Sequence, residues 1–406
     1  MSDAKHAMIR LGAASCAGKS TLVGLLNEGH HNLLDCPEVA EAVAVGRATI
    51  AVPKTFLDAE AGGMTHGEWG THLLTKNDTQ VIALEETVPG ADIDLQLGDD
   101  WRELRVQLVL PYYLWKARRA WRFANGWDFT PDWVKNGGED ACWDYAEKAL
   151  GAEEGTIYLD VADYPARCIS REEAAHVFTW APGAEAGYTP QGNGTDAPPD
   201  YHSVVRAGNT WYGDLGMVSH MRERFDCALP ERVDGLTALV IGAAEGAFAF
   251  ELCRRGAAFV VAVERRARRL ETMRRLRDTV GLPVTGVQLT LGEYHLPNFV
   301  ARGGGRYGIT LMLNVIRHLH SPELRLREAL TMSDRLLCET VVGDTLEIGN
   351  PPHQVFTCEW MQTIGISEGF AVTEREASLQ PEQRMMFDFT RIGTEQRQHA
   401  AREDDG

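Results

Sequence analysis

Two short stretches of this chain carry residues whose types and spacing can do chemistry. The first is the small-residue turn Gly242-Ala243-Ala244-Glu245-Gly246. It lies between an apolar run at 238–241 and a helix-patterned segment at 247–255. A second apolar run, 259–263, ends on Glu264, roughly 20 residues past the turn. Glycines let the backbone turn sharply and approach a ligand with no Cβ in the way, and an acid at that distance is placed to hold a ribose hydroxyl. The second stretch is Ala13-x4-Gly18-Lys19-Ser20, with Gly12 beside it and an apolar run at 8–11 before it. In such a loop the N–H groups cradle phosphate oxygens. Lys19 reaches the outer phosphates of ATP or GTP, the Ser20 hydroxyl ligates Mg2+, and Thr21 opens the helix whose N-terminus faces the phosphate.

Each stretch needs a strand before it and a helix after it, so each predicts the start of an α/β unit. The turn at 242–246 resembles the shorter glycine turn of class I S-adenosylmethionine (SAM) methyltransferases, with Ala244 where a middle glycine is usual. A dinucleotide-binding turn would need a third glycine near Phe248. Upstream, Tyr201-His202, a glycine-containing loop at 208–216, a helix, and Leu229-Pro230 with Asp234-Gly235-Leu236 lead into the apolar strand. That order resembles the methyltransferase group containing the tRNA wobble-uridine 5-oxyacetic-acid-forming enzyme, which alkylates a ring hydroxyl with carboxy-SAM. The resemblance covers about 200–375, and it implies a SAM site, with ordinary SAM as the default cofactor. Gly242, Ala244, Gly246 and Glu264 are its expected cofactor contacts, with Leu291–Tyr294 near the adenine. A fourth strand, 309–313, is expected to end on Asn314, also a cofactor contact at the edge where open sheets bind ligands. His318, His320 or His202 is placed to act as general base toward a hydroxyl, or to serve only as a hydrogen-bonded or capping histidine. A fifth strand at 333–342 and a late helix with a final strand pair from 356 complete the expected domain.

The N-terminal stretch resembles a P-loop kinase of the nucleoside or nicotinamide-riboside type. That resemblance implies a second strand ending at Asp35, followed by Pro37-Glu38, with Glu38 or Asp35 accepting the proton of an attacking hydroxyl. The alternative for Glu38 is a carboxylate complementing a helix N-terminus. A strand at 104–111 and a helix carrying Lys116, Arg118, Arg119 and Arg122 follow. Arg118 and Arg122 are the candidates for a basic lid over transferring phosphoryl charge, or they lie on a plain surface helix. The last strand is expected at 156–161 and the last helix after Ser170 as N-cap. For a Walker-B acid the sequence offers Glu85 or Glu86, and Asp92 or Asp94. The tryptophans at 101, 115, 121, 127, 133 and 143 fit an aromatic pocket, an interface or ordinary core packing.

Composition bounds these readings. At 406 residues, with 44% apolar and 24% charged residues, the chain has the size of two globular domains. No run of about 18 apolar residues exists, so no membrane span is expected. The start of the chain lacks a signal-peptide core, and the eight cysteines form no CxxC pair, which argues against a disulfide framework or a zinc site and for a cytoplasmic protein. A net charge of −18 disfavours indiscriminate nucleic-acid binding. Within that charge sits an arginine-rich segment, 265–277, which is either a solvated helix face or a contact for an anionic substrate or nucleic acid. The Gly- and Pro-rich stretch 181–199 reads as a linker.

The expected architecture is two doubly wound parallel-sheet domains: a P-loop kinase-like domain at 1–180 and a Rossmann-like methyltransferase domain at 200–394. A disordered tail follows at 395–406. The expected activity is methyl transfer to a hydroxyl- or nitrogen-bearing acceptor (a modified base, nucleoside or small metabolite) combined with ATP- or GTP-dependent phosphoryl transfer. The alternative is a methyltransferase whose P-loop domain only senses nucleotide or binds a partner.

Overall fold

Contacts divide the chain into two units, Met1–Ala181 and Pro182–Gly406. The computed structural model describes residues 6–12, 22, 34–44, 48–51, 81–86, 101–124, 140–151, 154–179, 205–207, 210–212, 216, 218–289, 296, 305–348, 354–377 and 384–393. The expected linker and tail lie outside these residues, as do the phosphate-loop residues Ala13, Gly18, Lys19, Ser20 and Thr21.

In the first unit the elements run β1 His6–Gly12, β2 Leu34–Asp35, α1 Pro37–Ala44, β3 Ala48–Ala51, β4 Val81–Glu86, β5 Trp101–Val109, α2 Tyr112–Ala124, α3 Asp140–Leu150, β6 Ile157–Asp160, β7 Ala166–Ile169 and α4 Arg171–Thr179. Strand β1 is buried along 7–12, as expected of a strand covered on both faces. Its one charge, Arg10, is paired with Glu103 of β5 at 2.6 Å. Helix α4 starts with a capping box: the Glu173 N–H donates to Ser170 Oγ at 3.1 Å, and the Ser170 N–H donates to Glu173 Oε2 at 2.8 Å. Val109, Ala146, Ala149, Tyr158, Ala174 and Phe178 form a core shared by α3, α4 and the sheet.

The sheet order is β2-β7-β6-β5-β1-β4-β3. Strands β3, β4, β1, β5 and β6 form a parallel block. Strand β7 runs against β6, and β2 is parallel to β7, so β2 runs against β1. Two expectations are corrected here: the sheet is mixed rather than wholly parallel, and the strand at Ile157–Asp160 is followed by one more. The expected second strand does end at Asp35, and it lies at the edge of the sheet. The cysteine expectation also fails, because Cys36 and Cys168 form a disulfide between chain positions 132 residues apart.

In the second unit the elements are β8 Val205–Ala207, β9 Thr210–Tyr212, α5 Val218–Ala228, β10 Thr237–Ile241, α6 Ala247–Arg254, β11 Phe259–Glu264, α7 Ala267–Val280, β12 Val284–Gln288, β13 Ile309–Leu313, a 3-10 turn Ile316–His318, α8 Pro322–Thr331, β14 Arg335–Val341, α9 Cys358–Ser367, β15 Phe370–Glu376 and β16 Arg384–Arg391. The stretch expected to be a loop at 208–216 contains β9, which pairs with β8 as a small hairpin.

The main sheet has the order β12-β11-β10-β13-β14-β16-β15. The first five are parallel, β16 is antiparallel to β14, and β15 is antiparallel to β16. This is a Rossmann-like sheet closed by a reversed strand pair, the arrangement of the class I methyltransferase fold, and it too is mixed. Every residue of β10 and β11 is buried, because helices cover both faces of a parallel sheet. Among the described residues no helix is long and apolar enough to cross a membrane.

Candidate functional site

The strand order of the second unit reverses between β10 and β13. A ligand crevice forms at such a switch point, beyond the carboxyl ends of the strands. The turn Gly242–Gly246 leaves β10 there, and Asn314 leaves β13 beside it.

The turn is built by backbone and one carboxylate. Gly242 has φ 74°, Ala244 φ 50° and Gly246 φ 92°. At Gly246 a Cβ would stand 2.6 Å from Met273 Cγ, so both the positive φ and the close approach of α7 require glycine. Ala244 takes its positive φ with a Cβ in place, a conformation that L residues adopt rarely. Its N–H donates to Glu264 Oε2 at 2.9 Å, and Glu264 Oε1 accepts the Arg266 N–H at 2.9 Å. The Gly242 and Ala243 N–H groups donate to the Val263 carbonyl at 2.8 and 2.9 Å. The end of β11 therefore fixes the shape of the turn. Glu264 is 6% exposed, and each of its oxygens keeps a further lone pair for a hydroxyl donor.

Across the switch point, Asn314 also has positive φ, 55°. Its N–H donates to the Glu339 carbonyl at 2.8 Å, while its buried Oδ1 finds no hydrogen-bond partner among the described residues. A buried amide oxygen without a donor is costly, and a ligand N–H or O–H is one way to supply it. Glu339 lies in the neighbouring strand β14, two residues before its end. Its carboxylate is held by Arg224 at 3.1 Å and Arg384 at 3.2 Å, all three side chains being buried or nearly so. Arg224 in turn lies over the Phe248 ring of α6 at 5.8 Å.

His318 closes the 3-10 turn after Asn314 and is exposed, as is His320. Partial burial, with the Arg317 and Arg265 charges nearby, holds His318 below the usual imidazole value of 6.5. Its two flanks are pinned from behind: the Gln354 Nε2 group donates to the carbonyls of Arg317 at 3.2 Å and Leu319 at 2.5 Å. Gln354 is 1% exposed. His202 and Leu291–Tyr294 lie outside the described residues.

Of the arginine-rich segment, Arg265, Arg266 and Arg268 are exposed. Arg275 pairs with Glu271 at 3.0 Å, and Arg277 is buried, its NH1 donating to the Val284 carbonyl at 3.1 Å. The segment is thus part solvated face and part anchor. A shallow surface hollow lined by Leu296, Leu324, Arg327 and Met332, among others, shares no residue with the turn.

In the first unit β1 stands at the switch point of the parallel block, between β4 and β5. Glu85 and Glu86, at the end of β4, pair in register with Leu11 and Gly12. Asp92 and Asp94 lie outside the described residues. Asp35 and Glu38 are exposed; Asp35 ends β2, four strand steps from β1, whereas Glu38 is in the first turn of α1, a helix that packs against β1. Arg118 is tied to the Val161 carbonyl at 3.2 Å, and α2 is seated on its buried Leu114 and Trp115. Arg122 is on the same helix, its side chain outside the described residues. Asp160, at the carboxyl end of β6, was not singled out by the sequence. Burial raises its pKa, against the Ala162 N–H at 3.0 Å and the Arg167 guanidinium at 3.3 Å. Glu339 and Gln354 were missed as well. An acid inside the apolar run of β14 was a visible signal for Glu339; none existed for Gln354.

No family model and no curated protein matches this chain. Solved structures do resemble it in part. A SAM-dependent methyltransferase from Mesorhizobium loti is 14% identical at TM-score 0.32, over 44% of this chain and 99% of that one. A TehB-like SAM-dependent methyltransferase from Corynebacterium glutamicum is 12% identical at TM-score 0.31, over 43% of this chain and 92% of that one. The N-terminal domain of EvdMO1, with S-adenosylhomocysteine bound, is 17% identical at TM-score 0.32, over 43% of this chain and 79% of that one. Likeness at this level fixes neither ligand nor activity.

Proposed function

We propose that the second unit is a SAM-dependent methyltransferase acting on a hydroxyl- or nitrogen-bearing acceptor such as a modified base, a nucleoside or a small metabolite. The observation that carries this reading is the pairing, at the switch point, of a Glu264-braced turn with the unsatisfied Oδ1 of Asn314. The residues present fit SAM. Glu264 keeps lone pairs for ribose hydroxyls, Gly242, Ala244 and Gly246 present backbone to the cofactor's amino-acid end, and Asn314 offers an acceptor. SAM, when bound, supplies a methyl group activated on a sulfonium. The chain's own task is to align the acceptor, exclude water and take up a proton. His318, neutral at pH 7, is the group we assign to that proton. Among the described residues of the site none favours carboxy-SAM over SAM.

For the first unit we propose that Ala13, Gly18, Lys19, Ser20 and Thr21 bind ATP or GTP with Mg2+ through Ser20. Support comes from the place of β1 at the switch point and from Glu85 and Glu86 at the end of the adjacent strand.

Calorimetric titration of the full chain with SAM and, separately, with Mg-ATP tests both readings. Binding of each ligand, with Glu264→Ala losing only SAM and Lys19→Ala only ATP, is the expected result. A chain that stays folded and binds no SAM would end the methyltransferase reading. ATP binding with no SAM-independent phosphorylation of nucleosides would leave the first unit as a sensor.

A further inference from the structure

Glu38, in the first turn of α1, has two cysteines as close neighbours. The register Leu34↔Ala166 and Asp35↔Arg167 brings the next residue of β2's chain, Cys36, opposite Cys168, with their Cα atoms 5.3 Å apart. Cys36 caps α1, the Ala40 N–H donating to its carbonyl at 2.9 Å, so Glu38 falls in the first turn of that helix. Glu38 Oε2 is 3.6 Å from Cys36 Sγ, and one donor atom from each of Cys36, Glu38 and Cys168 lies within 4.8 Å of the others. Cys36 is buried, while Glu38 and Cys168 are exposed, so the group opens to solvent on one side.

We propose that the reduced form of this cluster is a binding site for a divalent, thiophilic cation of the zinc class, with Cys36, Cys168 and Glu38 as ligands. Two sulfurs and one carboxylate oxygen form a donor set that zinc accepts, and three protein ligands leave a fourth tetrahedral position for water or an incoming ligand. Two sulfurs bound to one zinc stand roughly 3.8 Å apart at a Zn–S distance of about 2.3 Å. A change of cysteine rotamer is enough to open the bonded pair to that separation. The first-turn N–H groups of α1 favour the negative charge such a cluster carries. The two states exclude each other. A dithiol reductant gives two electrons and two protons to the Cys36–Cys168 bond and leaves as its own disulfide. Cation binding then displaces both thiol protons.

Cobalt(II) titration of the full chain reads this directly. The protein is reduced with dithiothreitol and freed of reductant without air. Wild type is expected to take up one cobalt per chain, with thiolate-to-cobalt charge-transfer absorption and the visible bands of a tetrahedral ion, both abolished by zinc. The oxidised chain is expected to show neither. Cys168→Ser, at an exposed position and therefore the safer variant for folding, is expected to lose most of the charge-transfer band. Glu38→Gln is expected to keep that band, bind more weakly and shift the visible bands. Absence of a thiolate band in the reduced wild type would overturn the proposal. So would a Cys168→Ser chain that binds cobalt as wild type does, since the thiolates would then come from other cysteines. Unchanged affinity and spectrum in Glu38→Gln would overturn the three-ligand assignment.

Discussion

The two units differ in where their carboxylates stand relative to the strand at the switch point. In the second unit the loop after β10 is held by the very next strand. Glu264 ends β11, one step away in the sheet, and its carboxylate bonds the turn itself. In the first unit the carboxylates are spread along the sheet. Glu85 and Glu86 end β4 beside β1, Asp160 ends β6 two steps away on the other side, and Asp35 ends β2 four steps away, with Glu38 on the helix that follows it. A carboxylate within hydrogen-bond reach of a loop can fix its shape and meet its ligand at once. One at the far edge of the sheet can do neither, and there the fold has used cysteines to hold the edge. The comparison teaches that a loop motif marks where a ligand is bound, while the strand order decides which acids can take part.

The largest expected effect lies at that far edge. Strand β2 is two residues long and pairs in the sheet with β7 alone, so the disulfide is one of its tethers, beside the packing of α1. Reduction of the full chain in metal-free buffer is expected to cost the first unit about 2–4 kcal/mol, given a cross-link that closes so long a loop. Urea unfolding followed by the tryptophans at 101–143 checks this. A reduced chain with an unmoved midpoint would mean that packing alone holds the edge. The next effect is at the braced turn. Glu264→Ala removes the partner of two backbone donors and of a ligand hydroxyl, and is expected to weaken SAM binding by about 2 kcal/mol, roughly thirtyfold, at unchanged ATP affinity. Equal loss of both ligands would show that the substitution unfolds the chain rather than the site.

What could be read from the sequence follows the same division. The turn, its two flanking strands and the strand ending on Asn314 were legible because fully apolar runs bounded by glycines or a single polar residue have few alternatives in a doubly wound sheet. The place of Glu264 at the end of β11 was legible from spacing alone. The pairing of β2 with β7 was not, because two residues carry no periodicity and the partner lies far along the chain. Cys36 and Cys168 shared no spacing signature for the same reason. Strand β9 is too short for an alternation to show, so its residues read as loop. The roles of Glu339 and Gln354 depend on which side chains reach them across the fold: Arg224 and Arg384 for the first, and the backbone of the histidine turn for the second. No local pattern records such contacts.

Smaller effects separate backbone from ligand at the switch point. Asn314→Gly keeps the positive φ without a side chain, so the fold is expected to hold its stability while SAM affinity falls about fivefold to tenfold. Asn314→Ala is expected to lose the same affinity and also about 1 kcal/mol of stability, because alanine adopts that conformation at a cost. Thermal unfolding with SAM titration on both variants distinguishes the two terms. An Asn314→Gly chain that binds SAM as wild type does would remove Asn314 from the cofactor site and leave it a turn residue.

The smallest effect concerns the proton. The charges of Arg265 and Arg317 disfavour a protonated His318, as does its partial burial, so its imidazole is expected to titrate below 6.5 by NMR. Removing a nearby cation makes protonation easier. Arg265→Ala is therefore expected to move the midpoint upward, by roughly a few tenths of a pH unit given how far solvent screens an exposed pair. In a methyl-transfer assay the acid limb should move the same way, because the base works only when neutral and loses activity as pH falls through its midpoint. Gln354→Glu offers the complementary shift. It keeps a side chain of the same size behind the histidine turn but withdraws the amide donor from the Arg317 and Leu319 carbonyls. The midpoint should then respond to both the freed turn and the added negative charge. If His318 titrates at the ordinary imidazole value and neither variant moves it, its neighbours are too far away to tune it. The base would then have to be sought on another element of the site.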